Sequence, residues 1–305
     1  METYIIGVLL AIMAGITNFT GPILQKKAIN DIKQEKENIT MRDLIRKPIW
    51  ISGLLLICVV NVILIALAQS LIGAALIPGL TASGFIVLAI GSVKILGEKL
   101  KKQEIMAIAL LLMGVIFVTM SQLSIIGDIE RFYNTAFVVR ISAFSILFLA
   151  LWMGFFYGGK KSKKTKAVFM SFAVGFPFIL SNVWVQPFML SAQSVLSNDY
   201  MPMSIFVLIA GAAIVSLANI FGIIHMQHAM AEANASIVIP IHQVPQQISP
   251  IIIYFLIYML AAPSVLSYFF IIIGMSMIIY AGFILSRRQK QIDKLVEETE
   301  KEIIK

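Results

Sequence analysis

A cluster of polar side chains interrupts the apolar sequence at residues 239–252, which read IPIHQVPQQISPII. One histidine, three glutamines and a serine fall within eight residues there. Amide, imidazole and hydroxyl groups donate and accept hydrogen bonds, and an imidazole can also carry a proton near neutral pH. The pattern therefore favours binding of a small polar molecule, with proton transfer as a further role for His242. Hydrogen bonding that only joins neighbouring helices is the structural alternative.

Three prolines, Pro240, Pro245 and Pro250, run through the same stretch. Each removes a backbone donor and frees a carbonyl group about one turn earlier, so the helix is expected to kink or break repeatedly. Freed carbonyl groups inside a membrane are tolerated only when they are buried in protein or face a water-filled cavity. The prolines therefore favour a position beside such a cavity.

Helical spacing places His242, Gln246 and Ser249 on one face, with Gln243 and Gln247 on the adjacent face. We expect these faces to line a cavity together with polar residues from other apolar segments. The candidate substrate-binding residues are His242, Gln243, Gln246, Gln247, Thr81, Asn61, Asn219, Asn18 and Asn182.

Other chemistries have weaker support from the sequence. His225, His228 and Glu232 are interpreted as interfacial residues, with a surface metal site as the alternative, and no metal ligand set is predicted. Glu98 is interpreted as a helix-end residue rather than a ligand. The sequence has no Walker motif, no zinc-spaced Cys/His cluster and no serine elbow, so neither an enzyme nor a cofactor is expected.

The composition of the chain indicates an all-α polytopic membrane protein. Of its 305 residues, 59% are hydrophobic and 13% are charged, and the mean hydropathy is +0.91. These values lie outside the range of soluble domains. A bilayer core of roughly 30 Å needs about 20 apolar residues per helix. Nine segments meet that need, at 3–25, 48–69, 72–96, 104–122, 135–157, 167–191, 203–227, 233–258 and 263–285.

The basic residues predict the orientation of these nine transmembrane helices. Of the 24 Lys and Arg residues, 22 fall in four groups, at 26–47, 94–102, 160–166 and 287–305. With nine spans all four groups lie on one side of the membrane, which the positive-inside rule assigns to the cytoplasm. We therefore expect an N-terminus outside, a C-terminus in the cytoplasm and a location in the plasma membrane.

Two parts of the chain resemble each other. The sequence NVILIALAQ at 61–69 matches NIFGIIHMQ at 219–227, and LLLMGVIFV around Gly114 matches FIIIGMSMI around Gly274, at a separation near 160 residues. Because one extra span lies between the copies, the second copy crosses the membrane in the opposite sense, as in many secondary transporters. The predicted parts are a first four-helix repeat (1–122), a linker helix (123–160), a second, inverted repeat (161–286) and a cytoplasmic tail (287–305).

The segment ILGEKLKKQEIMAIALLLMGVIFV and the opening GPILQKKAI, with Trp50 leading the second span, resemble the drug/metabolite transporter (DMT) superfamily. Within its EamA-like members the chain is most similar to the NIPA branch, described as magnesium transporters. The resemblance implies a 4+1+4 arrangement of helices and transport. One departure is that NIPA-type proteins usually have an acidic residue shortly before the position of Asn61, where this chain has Cys58, Val59 and Val60. Mg²⁺ prefers hard oxygen ligands such as carboxylates.

We therefore expect a secondary transporter that moves a small polar solute or metabolite through a central cavity by alternating access. A NIPA-like magnesium ion transporter is the first alternative, and a membrane scaffold or receptor without transport is the second. The expected partners are a small polar solute or cation and the lipid bilayer. A homodimer stays open, and no nucleic-acid partner is expected.

Overall fold

The chain is helical along almost its whole length, and the all-α prediction is confirmed. The computed structural model describes residues 2–35, 39–72, 76–123, 129–161, 166–197 and 202–303. Within these residues there are twelve α-helices and no β-strand. The helices are α1 (Glu2–Glu35), α2 (Met41–Ile45), α3 (Pro48–Leu55), α4 (Asn61–Ile72), α5 (Ile77–Thr81), α6 (Gly84–Lys94), α7 (Lys102–Met120), α8 (Thr135–Lys161), α9 (Lys166–Leu196), α10 (Pro202–Glu232), α11 (Ala235–Ile252) and α12 (Val265–Ile303).

Long apolar helices indicate an integral membrane protein. In the described part of the chain, eight helices are long and apolar enough to cross a membrane, and they coincide with eight of the nine predicted spans. The remaining predicted span, 233–258, is also helical and contains α11. α11 is not among the eight, because its imidazole, amide and proline residues lower its apolar character, so the count of nine depends on this helix.

The proline-rich helix differs from its prediction. The sequence led us to expect kinks or breaks at the prolines; α11 continues as an α-helix through Pro240, Pro245 and Pro250, so the helix does not break at them. A local hydrogen bond explains part of this continuity. Pro250 cannot donate to the carbonyl of Gln246, and the Ser249 hydroxyl donates to that carbonyl instead, at 2.9 Å.

Two π-helical segments interrupt the regular α-helical geometry. One, Leu56–Val60, joins α3 to α4, and the other, Ile253–Ile257, follows α11 directly. Such segments shift the side chains that follow them around the helix axis and often occur at functional sites. The first segment, Leu56–Val60, ends directly before Asn61, so it shifts the side chains from Asn61 onward around the helix axis.

The chain forms two compact units. The first contains residues 1–123, 227–244 and 262–305, and the second contains residues 124–226 and 245–261. The division falls inside α10, before Gln227, and inside α11, after Val244.

In the first unit, α7 and α12 pack against each other in antiparallel directions. Glu104 pairs with Arg288 at one end, Gly114 lies against Ile278, and Val118 lies against Gly274. The two glycines allow a close backbone approach. A Cβ atom on Gly114 would lie 2.9 Å from the carbonyl oxygen of Gly274, and one on Gly274 would lie 2.7 Å from that of Gly114.

The first helix, α1, packs antiparallel to α3 and α4 in the same unit. Gly7 lies against Leu71, Gly21 against Ile57, and Gln25 against Gly53. Small residues at these points let the helices approach closely, which is the usual basis of helix association in membranes. This register fixes the level at which the polar residues of α1 lie.

An aromatic core joins α8, α9 and the second π-helical segment in the second unit. Its buried members include Phe137, Phe148, Phe176, Ile257 and Tyr258. Arg131 donates to the carbonyl of Tyr258 at 3.2 Å, and Arg140 donates to that of Ile257 at 3.0 Å. These two arginines are the basic residues that lie outside the four groups described above. Both satisfy carbonyl groups at a helix C-terminus.

Candidate functional site

The polar residues of α11 are buried or half-buried. His242 is 4% exposed and Gln243 7% exposed, in the part of the helix that belongs to the first unit. The Nδ1 atom of His242 donates to the Val238 carbonyl at 3.3 Å, one turn earlier. This bond orients the imidazole along its own helix.

Gln246 and Gln247 lie in the part of α11 that belongs to the second unit, and both are half-buried. The side-chain Oε1 atom of Gln246 is buried and has no hydrogen-bond partner among the described residues. A buried acceptor without a donor costs about 1–3 kcal/mol, so it needs an explanation. A polar ligand or bound water would supply the missing donor.

Asn182 and Asn219 belong to a polar cluster in the second unit. The Asn182 side chain donates to the Ser249 hydroxyl at 3.4 Å, which joins α9 to α11. The Asn219 side chain donates to the Ser181 hydroxyl at 2.7 Å, which joins α10 to α9. We call Ser181, Asn182, Asn219 and Ser249 the α9 cluster. It contains two predicted binding residues, Asn182 and Asn219, together with Ser249 of the predicted polar face, whereas Ser181 was not predicted.

The hydrogen bond between Asn219 and Ser181 yields a modest stability prediction. We expect Asn219→Ala to lower the free energy of unfolding by about 1–2 kcal/mol and the coupling energy with Ser181→Ala to be about 1 kcal/mol. Unfolding of the purified protein in mixed micelles, measured for both single variants and the double variant, gives this coupling. Additive losses in the double variant would contradict the bond.

Asn18, Asn61 and Thr81 lie at a similar level of α1 in the first unit. Thr81 packs against Gly15, one turn before Asn18. Gly7 lies against Leu71 and Gly21 against Ile57, and interpolation between these two contacts brings Asn61 to about the level of Thr17, the neighbour of Asn18. We call Thr17, Asn18, Asn61 and Thr81 the α1 cluster.

Asn61 is the buried member of the α1 cluster. It is 8% exposed, and its Oδ1 atom is buried without a hydrogen-bond partner in the described part of the chain. The hydroxyl of Thr81 donates to the carbonyl of Ile77 at 3.0 Å, in its own helix. The α1 cluster therefore has an acceptor with unused capacity.

Charged residues hold the turn between α10 and α11, which sequence reasoning missed. The Lys26 ammonium donates to the carbonyl groups of Met230 and Ala233 at the C-terminus of α10. The Glu98 carboxylate accepts from the N–H groups of Ala235 and Ser236 at the N-terminus of α11, at 2.7 and 3.0 Å. Each charge matches the dipole of the helix end that it binds. We call Lys26, Glu98 and this turn the α10–α11 clamp.

Glu98, interpreted from the sequence as a helix-end residue rather than a ligand, therefore binds the start of a different helix, α11. Its side chain is buried, 8% exposed, and serves as the anionic cap of a helix 137 residues away in sequence. Lys26 is also buried, at 6% exposed. The sequence signal for both is a charged residue directly beside an apolar run, which is equally typical of a solvated helix end.

A chain of buried side-chain hydrogen bonds adjoins the clamp. The Trp50 indole donates to Gln227 at 3.0 Å, and Gln227 donates to the Oε1 atom of Gln25 at 2.9 Å. The Nε2 atom of Gln25 is buried and has no partner among the residues that the structure describes. The matched Gln227 of the sequence repeat thus joins α10 to α1 and α3.

The alternative of a metal site at His225, His228 and Glu232 has no support. His225 donates from Nδ1 to the Phe221 carbonyl at 2.7 Å, and its ring packs against Trp152 and Phe156. Across the described residues, no three His, Cys, Asp or Glu side chains are grouped so that they could hold a metal ion.

Comparison of the chain with protein-family models, curated proteins and solved structures finds no match. The geometry above is therefore the basis on which the function is inferred.

Proposed function

We propose that the protein is a secondary transporter that moves a small polar solute through a water-filled cavity by alternating access. In this proposal nine helices span the plasma membrane, with the N-terminus outside and the C-terminus in the cytoplasm, and α11 forms the eighth span along the chain. The four-helix repeats are inverted around a linker helix, and the chain is a distant member of the DMT superfamily.

The contact between α7 and α12 supports the inverted repeat. Gly114 and Gly274 occupy matched positions in the two copies of the sequence repeat, and each approaches the other's carbonyl oxygen. Reciprocal contact between equivalent residues is characteristic of a two-fold axis. The antiparallel packing of these matched helices is what inversion requires, because copies with the same orientation would make them parallel.

The asparagine clusters support the same internal symmetry. The register of α1 with α4 brings Asn61 to about the level of a hydroxyl residue of α1, Thr17, in the first repeat. Asn219 bonds a hydroxyl residue of α9, Ser181, in the second. Each hydroxyl residue is followed directly by another asparagine, Asn18 or Asn182. Polar groups at matched positions of a sequence repeat are typical of substrate sites in repeat-built transporters.

The buried, unpartnered Oε1 atom of Gln246 is the observation on which the binding role depends. Helix-joining amides should be fully bonded, since an unpaired acceptor in hydrocarbon weakens the packing that it is meant to stabilise. An acceptor left open on the polar face of α11 instead fits a solute that carries a donor, such as a hydroxyl or amino group.

The magnesium alternative has less support than the organic solute. The buried carboxylates of Glu98 and Glu104 are already engaged, Glu98 by two backbone N–H groups and Glu104 by Arg288. Neither therefore offers a vacant anionic oxygen to a cation that loses its water reluctantly.

Flux measurements in proteoliposomes test the proposed function. A panel of neutral and cationic metabolites, together with Mg²⁺, should be assayed with and without a proton gradient. We expect saturable uptake of at least one organic solute bearing hydrogen-bond donors. Saturable Mg²⁺ flux without any solute flux would favour the magnesium transporter, and no flux of any compound would favour the scaffold or receptor.

A further inference from the structure

A basic groove lies at one end of α7 and α12, within the first unit. A cavity of about 530 Å³ adjoins Lys101, Lys102 and Gln103. A second cavity of about 250 Å³ adjoins Phe283 and Arg287. Gln103 and Gln291 line both cavities, so the two form one continuous surface, which we call the α7–α12 groove.

The polar half of this groove carries positive charge. Lys101, Lys102 and Arg287 are exposed. Lys101 is the N-cap of α7, so the groove also meets a helix N-terminus, where backbone amides favour an anion. The carboxylate of Glu104 does not offset these charges at the surface, because it is buried between the Arg288 guanidinium and the Lys101 backbone N–H, each at 2.9 Å.

The other half of the groove is apolar and exposed. Met106, Tyr280 and Phe283 are 47%, 56% and 50% exposed, respectively, on helices that are long and apolar enough to cross a membrane. The guanidinium of Arg287 lies over the Phe283 ring, 4.2 Å from its centroid. This contact holds a cation at the boundary between the apolar and basic halves.

We propose that the α7–α12 groove is a binding site for an anionic phospholipid. The phosphate lies among Lys101, Lys102 and Arg287, and the amides of Gln103 and Gln291 donate to its oxygens or to the headgroup. The acyl chains run along Met106, Tyr280 and Phe283. The continuity of the basic and apolar halves selects a lipid over a free phosphate, which would use only the basic half. This site is independent of the proposed transport.

Lipid-dependent thermal stabilisation of the purified full-length protein in neutral detergent tests this site. The probes are phosphatidylglycerol, phosphatidylcholine with matched acyl chains, and inorganic phosphate. The variant K101Q/K102Q/R287Q removes three charges from the groove. Its matched control, K27Q/R42Q/R46Q, removes three exposed charges elsewhere on the same unit.

We expect phosphatidylglycerol to raise the melting temperature of the wild type and of the control variant with half-saturating concentrations within twofold of each other. The half-saturating concentration of the groove variant should be higher by about tenfold or more, because each surface cation near an anionic lipid contributes to binding. Circular dichroism of all three proteins in detergent should agree, since the substituted side chains are exposed.

Three outcomes would overturn the proposal. Equal losses of affinity in the two triple variants would indicate that the lipid binds unspecifically to surface charge rather than in the groove. Equal stabilisation by phosphatidylcholine would remove the role of the basic residues. Stabilisation by inorganic phosphate at the same concentrations as the lipid would indicate a free-anion site instead.

Discussion

Replacing Glu98 with alanine is expected to lower the free energy of unfolding by about 3–5 kcal/mol, the range for breaking a buried charged interaction. Two backbone N–H groups at the start of α11 lose their acceptor. The buried ammonium of Lys26 also loses the favourable effect of a neighbouring carboxylate. Water cannot readily replace these interactions, because both side chains are buried.

Glu35→Ala is the matched control for Glu98→Ala. Glu35 forms an ion pair with Lys47 at 3.0 Å, and its side chain is 64% exposed. Exposed ion pairs contribute little, so we expect a change within about 0.5 kcal/mol. Unfolding by denaturant in mixed micelles measures both variants, and Glu98→Gln should lie between them because its amide keeps one acceptor oxygen. Equal stability of Glu98→Ala and wild type would remove the α10–α11 clamp as a stabilising element.

The clamp also bears on the proposed transport, since it anchors the start of the helix that carries Gln246. In alternating access, α11 must hold its polar face in a defined orientation while helices move around it. A loosened N-terminus of α11 is therefore expected to reduce transport in Glu98→Ala beyond what the amount of folded protein explains.

Much of the helical architecture could be predicted, because apolar runs of membrane length are a strong local signal. The residues at which the helices end were less predictable than their approximate positions. α1 was predicted to end at residue 25, where lysines begin, yet the helix continues to Glu35. Positive charges mark the membrane boundary rather than the end of the helix, and Lys26 is held inside the fold by carbonyl groups of α10.

The unbroken path of the proline-rich helix could not be predicted, for a different physical reason. The prediction assumed that no side chain would replace the backbone hydrogen bond lost at each proline. The Ser249 hydroxyl, however, donates to the Gln246 carbonyl that Pro250 leaves free. Such compensation depends on the rotamer of one side chain, which a sequence pattern does not specify.

Parts of the candidate site were predictable from repetition. Asn61 and Asn219 stood out because each precedes a glutamine by the same spacing. Asn219 bonds a hydroxyl residue of a neighbouring helix, and Asn61 is buried with an unpartnered Oδ1 atom among the described residues. The clamp could not be found this way, because Lys26 and Glu98 contact residues more than a hundred positions away and only tertiary packing brings them there.

Gln246→Leu is expected to reduce transport to the level of empty proteoliposomes while leaving stability unchanged or slightly raised. Leucine has a similar size but offers no acceptor to a solute. Because the Oε1 atom of Gln246 is buried without a partner among the described residues, its removal breaks no bond to that oxygen and relieves an unpaired polar group. Uptake of the identified solute and unfolding of the purified variant are measured in parallel.

These two measurements distinguish substrate binding from structural hydrogen bonding at Gln246. A glutamine that joins helices would lose stability on conversion to leucine, by about 0.6–2 kcal/mol, and transport would fall only in proportion to the folded protein. A substrate-binding glutamine loses transport alone. The control is Gln69→Leu, an exposed glutamine of α4, which should keep both properties. Full uptake in Gln246→Leu would exclude Gln246 from the transport path, because the solute would then cross without the buried, unpartnered acceptor that this side chain offers.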